Sequence, residues 1–450
     1  VPAAATTEDP AAPAPDQPRE PLGPRFRHLL TSTTLANLAD GVVQAAVPLY
    51  ALTLTRSPGQ ISLLSAAAWL PCLVLGLAAG VLVDRADRRR TQIVALAARA
   101  VLLVGAAALV LTDRMSMTTL LVVVLVYGVT DVIADLAESA LVPDLVPRSR
   151  LHTANGRVMA AQHVAGSFLG GPIGGVVVGI GAAWAFGVPA GLAVAAALVL
   201  VVGVPGRYRH AAAVGAAPAH DAPAAPARSG LPAAAAHEVR RTLAEVREGV
   251  SFLARSPVLR PLLITGSVSN MCFTGYTAVF VLWAVGEGSA IGLTPTQYPL
   301  IGVAMAVGAV LGSVVVEPLH RVVGEVRLML GSWLTMSVLL VVPVLWPTAL
   351  ATAIAFFLVG LLTTLGNVLS QSMRQRLVAP GMLGRVGGAG RTLSYGLMPV
   401  GALIAGVAAE TWGLRVTLWG AAAVAVVAMI YPLLVVRQRH VTAAEASVPV

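Results

Sequence analysis

Three carboxylates, Asp131, Asp135 and Glu138, fall within GVTDVIADLAESALVP (128–143), directly after the apolar run LVVVLVYG. A charge at bilayer depth costs about 2.5–3.5 kcal/mol or more, so acids in such a run mark proton relays, ion paths or ligand counter-ions. On a helix turning 100° per residue, the three lie within about 60° of one another. A single acidic stripe requires a watered cavity or the interior of a helix bundle. The helical rise puts Asp135 about 6 Å and Glu138 about 10 Å beyond Asp131.

The chemistry this stripe offers is proton exchange, because burial and a neighbouring like charge both favour a neutral carboxyl. Asp40, in LANLADGVVQ, sits near the middle of another apolar run and at the depth expected of Asp131. Asp40, Asp131 and Asp135 are therefore the candidate proton carriers. Arg99 is the one base well inside an apolar run of the N-terminal half, placed to neutralise Asp135 or Glu138. Glu138 reads either as a solvated interfacial acid or as a structural charge partner of Arg99 or Arg157. Asp135 stands between the two roles. His163 is a packed polar residue or a second proton site.

The elements that must position these groups are long apolar helices. Of the 450 residues 57% are hydrophobic and only 11% charged, more apolar material than a soluble domain can hide. The fold class is an all-α membrane protein. Spans of roughly 20 apolar residues fall near 28–53, 60–83, 91–112, 117–142, 156–181 and 184–204. Six more fall near 258–285, 294–317, 325–346, 347–371, 386–410 and 413–436. This organisation predicts a 1–24 tail, a six-helix bundle over 25–204, a linker over 205–257, a second bundle over 258–437 and a 438–450 tail. Both tails are expected in the cytoplasm.

The arginines orient the spans. With the N-terminus inside, outer loops hold only Arg56, Arg114 and Arg415, while Arg25, Arg27, Arg88, Arg148, Arg150, Arg321, Arg327, Arg374, Arg376 and Arg385 fall on the inner side. The net charge of +9 follows from those inner loops and implies no nucleic-acid partner. In the linker, Val239, Leu243, Val246, Val250 and Leu253 share one face of a helix over 236–254. Such a helix is expected on the membrane surface.

Two halves are also suggested by paired fragments. LVPRSRL (145–151) and LVAPGML (377–383) occupy matching places, as do NLADG (37–41) and NMCFTG (270–275). The two cysteines, Cys72 and Cys272, lie in different spans, which argues against a disulfide framework or zinc site. Nothing resembles a nucleotide-binding loop and the histidines are scattered, so neither ATP hydrolysis nor an enzyme site, metal or cofactor is expected.

The loop GVLVDRADRRR (80–90) resembles the signature loop of the major facilitator superfamily through Gly80, Asp84, Arg85, Arg88 and Arg89. Asp84 would cap the following helix and the arginines would bind carbonyl ends or acidic lipid. Asp87 stands where the family usually has Gly. GSFLGGPIGG (166–175) is similar to the fifth-span pattern of superfamily antiporters. There Gly166, Gly170 and Gly174 share a face beside Gly171 and Gly175, and Pro172 removes a backbone donor. Ordinary small-residue packing accounts for the same stretch. LHTANGRVMAAQHVAGSFLGGPIGG (151–175) and MRQRLVAPGMLGRVGGAGRTLSYGLMPVGALIAG (373–406) look like the subgroup of siderophore exporters and macrolide-efflux proteins.

The resemblance implies 12 transmembrane helices in two pseudo-symmetric bundles, with spans one, four, seven and ten lining a central cavity. Asn37, Tyr127, Asn270, Thr274, Tyr276, Asn367 and Gln371 are then the cavity candidates, and Arg391 and Tyr395 enter span eleven. The N-half would carry the proton switch, the C-half more of the substrate contacts. The implied activity is proton-driven export of a hydrophobic or amphiphilic small molecule from the cytoplasm across the inner membrane. An uptake symporter is the alternative. The partners are substrate, protons and lipid, and the superfamily default is a monomer.

Overall fold

The computed structural model describes residues 22–75, 86–208, 247–379 and 382–445. The described residues are almost wholly helical. In the first half α1 is Pro24–Leu54, α2 Pro58–Leu75, α3 Arg88–Leu111 and α4 Met117–Leu145. The helix α5 runs through Leu151–Gln162, a π-helical His163–Gly170 and Gly171–Ile180; α6 is Trp184–Gly203.

The second half holds α7 (Leu259–Ala284), α8 (Tyr298–Val323), α9 (Glu325–Leu339) and α10 (Ala349–Leu377). In α11 the segments Leu383–Gly396 and Met398–Trp412 follow one another, and in α12 Leu414–Ala428 and Ile430–Val435. Among the described residues, ten helices are long and apolar enough to cross a membrane. The other two are α2, described only to Leu75, and α7, whose apolar run is diluted by Ser, Thr, Asn and Gly.

Local signals start and stop these helices. Ser116 and Thr348 cap α4 and α10 by accepting from the amides of Thr119 and Ala351, each at 3.2 Å. Asp87, not Asp84, caps α3, accepting from the Arg90 amide at 3.1 Å. Asp84 lies outside the described residues, as do Gly80 and Arg85. The residue that departs from the superfamily loop is thus the one that starts the helix. Gly324 (φ 86°) and Gly413 (φ 83°) make the sharp α8–α9 and α11–α12 turns in a region that side chains disfavour.

Glycines also set the packing inside each half. A Cβ on Gly41 would strike the backbone of Gly166, and one on Gly170 would strike Gly41, so α1 and α5 touch backbone to backbone. In the second half Gly275 and Gly401 join α7 to α11 in the same way. Gly128 rests on Pro71 between α4 and α2; Gly308, Gly312 and Gly360 join α8 to α10. Corresponding pairs therefore meet in both halves. Gly41 and Gly275 close the NLADG and NMCFTG fragments.

The halves meet through α2 against α11 and α5 against α8. At the end carrying the α1–α2 and α7–α8 connections, one continuous core includes Tyr50, Ile61, Phe186, Phe280, Ile301 and Ala409, from both halves. At the opposite end the described residues form separate cores. One holds Phe26, Leu96, Leu141 and Leu200; the other holds Leu253, Met329, Met373 and Val386. Among the described residues, the two halves are joined at one end and parted at the other.

Polar contacts reinforce the closed end. The Glu410 carboxylate accepts from Ser57 Oγ at 2.5 Å and from the Gly59 amide at 3.2 Å, and Arg56 donates to the Val285 carbonyl at 3.0 Å. At the parted end, the described tail of the linker is a helix over 247–255. Leu253 is buried in the core of the second half, and Arg385 donates to Glu248 at 2.9 Å. That part of the apolar face, expected against lipid, covers protein instead. Residues 236–246 lie outside the described residues.

Candidate functional site

The apolar spacing of α1, α3 and α4 buries a stripe from each in the first half, and three charges meet there. Arg99 Nη1 donates to Asp40 Oδ1 and Arg99 Nη2 to Asp131 Oδ1, both at 2.7 Å. Arg99 is only 1% exposed, Asp40 15% and Asp131 38%, so the ion pair runs from the bundle interior out to an accessible carboxylate. Tyr127, one turn before Asp131, donates its hydroxyl to Asp40 and presents its ring to the guanidinium, 4.7 Å from centroid to Cζ. Among the described residues Arg99 Nε has no hydrogen-bond partner, which costs about 1–3 kcal/mol for a buried group.

This geometry corrects the expected pairing. Arg99 neutralises Asp40 and Asp131 rather than Asp135 or Glu138. Spacing on α4 alone could not reveal it, because the Asp40 partner arrives from another helix. Glu138 is buried and accepts from Gln92 at 3.5 Å and Gln162 at 3.3 Å. It is neither solvated nor paired with Arg99 or Arg157. Asp135 is exposed and has no ion-pair or hydrogen-bond partner among the described residues. Three acids on one stripe thus occupy three settings.

The candidate cavity residues divide too. Tyr276 is fully buried and donates to the Leu340 carbonyl at 2.9 Å, so it serves packing within the second half rather than lining the cleft. Thr274 is also buried, Asn270 half-buried, and Asn37 donates to the Thr33 carbonyl at 2.9 Å. Tyr127 belongs to the charge cluster. Asn367 and Gln371 are exposed on α10, where Gln371 accepts from Arg374. His163 is exposed at the start of the π-helical segment, not packed.

The loop and fifth-helix residues have structural work. Arg88 donates to Asp144 at 2.8 Å and to the Ala140 carbonyl at 3.0 Å, tying α3 to the end of α4. Arg89 donates to the Val201 carbonyl at 2.9 Å at the end of α6, as expected of a cation at a helix C-terminus. Gly166, Gly170 and Gly174 face α1; Gly175 lies against Pro295 and Pro299 of the other half, and Gly171 faces open space. Pro172, lacking a backbone donor, follows the π-helical turns directly.

Beyond the acids, α2 supplies Cys72, which is exposed. Its neighbours Pro71 and Leu73 rest on Gly128 of α4 and Gly396 of α11. Gln92, Gln162 and Cys72 carried no signal in the sequence, since each is an isolated polar residue whose neighbours come from other helices. A separate cleft of about 800 Å³ lined by His320, Glu325, Arg327 and Arg437 lies at the parted end of the second half, away from the acids.

Two interlocking helical halves with ion-paired carboxylates inside define a polytopic membrane protein of the transporter type. A sequence profile of the Major Facilitator Superfamily matches residues 29–290, and the chain belongs to that superfamily. It is therefore a transporter, and the superfamily is not one of enzymes. It is 27% identical over 409 residues to the multidrug efflux pump Tap of Mycolicibacterium fortuitum, covering 88% of this chain and 91% of that one. It is likewise 27% identical over 379 residues to the enterobactin exporter EntS of Citrobacter koseri, covering 81% and 80%.

Solved structures agree on the fold. A bacterial homologue of the iron transporter ferroportin, in an inward-facing state, superposes with a TM-score of 0.65 at 13% identity, covering 94% of this chain and 98% of that one. The nucleoside transporter NupG superposes with a TM-score of 0.62 at 12% identity, covering 91% and 98%.

Proposed function

We propose that the chain is a proton-driven exporter of a hydrophobic or amphiphilic small molecule, with 12 spans, both termini in the cytoplasm and a place in the inner membrane. The observation that carries the reading is the Asp40–Arg99–Asp131 cluster, in which one guanidinium serves two carboxylates. Such a cluster holds one negative charge in excess, and a bound proton balances it in a medium that screens charge poorly. Asp131, the accessible end, receives the proton; Asp40 and Tyr127 hold Arg99 when Asp131 lets go. Asp135 relays protons between Asp131 and the cleft.

With the termini inside, the parted end faces the cytoplasm and the molecule stands ready to load substrate. Rocking of the halves about the central site then opens the Glu410 end. Similarity to the Tap and EntS exporters supports the outward direction. Asp40→Asn and Asp131→Asn should each abolish transport driven by a proton gradient in inverted vesicles, with membrane abundance unchanged, and an ionophore should mimic them. Transport that persists in both variants or without a gradient rejects the coupling; flux in the opposite direction makes the protein an uptake symporter.

A further inference from the structure

Toward the parted end α4 of the first half carries exposed carboxylates, and α10 and α11 of the second half carry guanidiniums. On the α4 side stand Asp131, 38% exposed and shared with Arg99, and Asp135, exposed and unpartnered among the described residues. On the second half, Asn367, Gln371 and Arg374 follow at i, i+4 and i+7 on α10, one helical face. Arg391 and Tyr395 repeat the i, i+4 spacing on α11, both exposed. Arg374 packs beside Gly390, the residue that precedes Arg391.

The helix α2 joins these walls. Pro71 abuts Gly128 of α4, and Leu73 abuts Gly396 of α11. Cys72, between them, is exposed. One turn earlier, the Trp69 ring lies 6.3 Å from that of Tyr395, an aromatic pair that spans the two halves.

Two guanidiniums near each other without an acid to separate them are unfavourable, and so is an unpartnered carboxylate among other carboxylates. Among the described residues Arg391 has no ion-pair or hydrogen-bond partner. A site for simple cations has no use for the arginines, and a site for simple anions has none for Asp135. We propose that the cleft selects amphiphiles bearing both a cationic and an anionic group on an aromatic body. The cation lies against Asp135 and Asp131, the anion against Arg391 and Arg374, and the ring system against Trp69 and Tyr395. The proposal rests on the reading of this cleft as the substrate path.

The test is equilibrium binding to the full-length protein in nanodiscs without a proton gradient, using three dyes of one ring system. Tetramethylrhodamine is a zwitterion, its methyl ester a cation, and fluorescein an anion. The wild type should bind the zwitterion about tenfold more tightly than either of the others. Arg391→Gln should bring zwitterion affinity down to that of the ester, Asp135→Asn down to that of fluorescein, and Arg391→Lys should restore most of the loss. Affinities ordered by hydrophobicity alone overturn the proposal. So does an equal loss for all three dyes in Arg391→Gln, which would make the opposed charges a gate that pairs when the cleft closes. Because binding needs neither gradient nor direction, charge-selective binding without export would sink the export reading and leave this one standing. Export regardless of dye charge would do the reverse.

Discussion

Arg99 bonds one carboxylate with each terminal nitrogen, and that arrangement dictates what its removal does. With the guanidinium gone, Asp40 and Asp131 face each other inside the bundle without a counter-charge. Breaking a buried pair in this way costs about 3–5 kcal/mol. Arg99→Leu should therefore lower the thermal midpoint of the purified protein markedly. Adding Asp40→Asn and Asp131→Asn to Arg99→Leu should recover most of that loss while transport stays absent. A triple variant no more stable than Arg99→Leu would mean that Arg99 supports the fold by packing alone. Glu138 is held by two glutamines instead of an arginine, so Glu138→Gln should leave proton coupling intact.

At the scale of the element, packing depends on backbones that approach with nothing between them. A side chain on Gly41 meets the Gly166 carbonyl, and neither helix can retreat without pulling α1 from α5. Overpacking a fitted contact costs about 1–3 kcal/mol, more where backbone is struck. Gly41→Val should give poorly folded protein, and Gly401→Val in the second half should do the same through α7 and α11. Gly171→Ala, which meets open space, is the control and should melt like the wild type. If all three behave alike, the glycines are not the contact surfaces. Gly166, Gly170 and Gly174 were legible as a small-residue pattern; that they would meet α1 was not.

For the whole molecule, a shared core at one end and split cores at the other predict one-sided access. Cys72, exposed, and Cys272, buried, report on it directly. A membrane-impermeant maleimide should label Cys72 in inverted vesicles, spare it in right-side-out ones, and leave Cys272 unlabelled in both. Glu410→Ala removes the carboxylate that Ser57 and Gly59 engage across the closed end, and should raise labelling of Cys72 from the outside. Labelling that is equal from both sides in the wild type would contradict the one-end closure.

Several features were determined by the sequence alone. Length of apolar run, the scarcity of charge and the small-residue patterns specify helices in lipid, since backbone polar groups must be satisfied within each segment there. The acids at 131, 135 and 138 were visible as a stripe because helical periodicity is local. Which acids pair with Arg99, why Glu138 is content with glutamines, and how α2 comes to pack between α4 and α11 depended on tertiary structure. Those relations join α1, α3, α4, α2 and α11, far apart in the chain. Periodicity fixes a direction around one helix axis, whereas a charge's partner is chosen by which helices pack together, and only the folded bundle decides that.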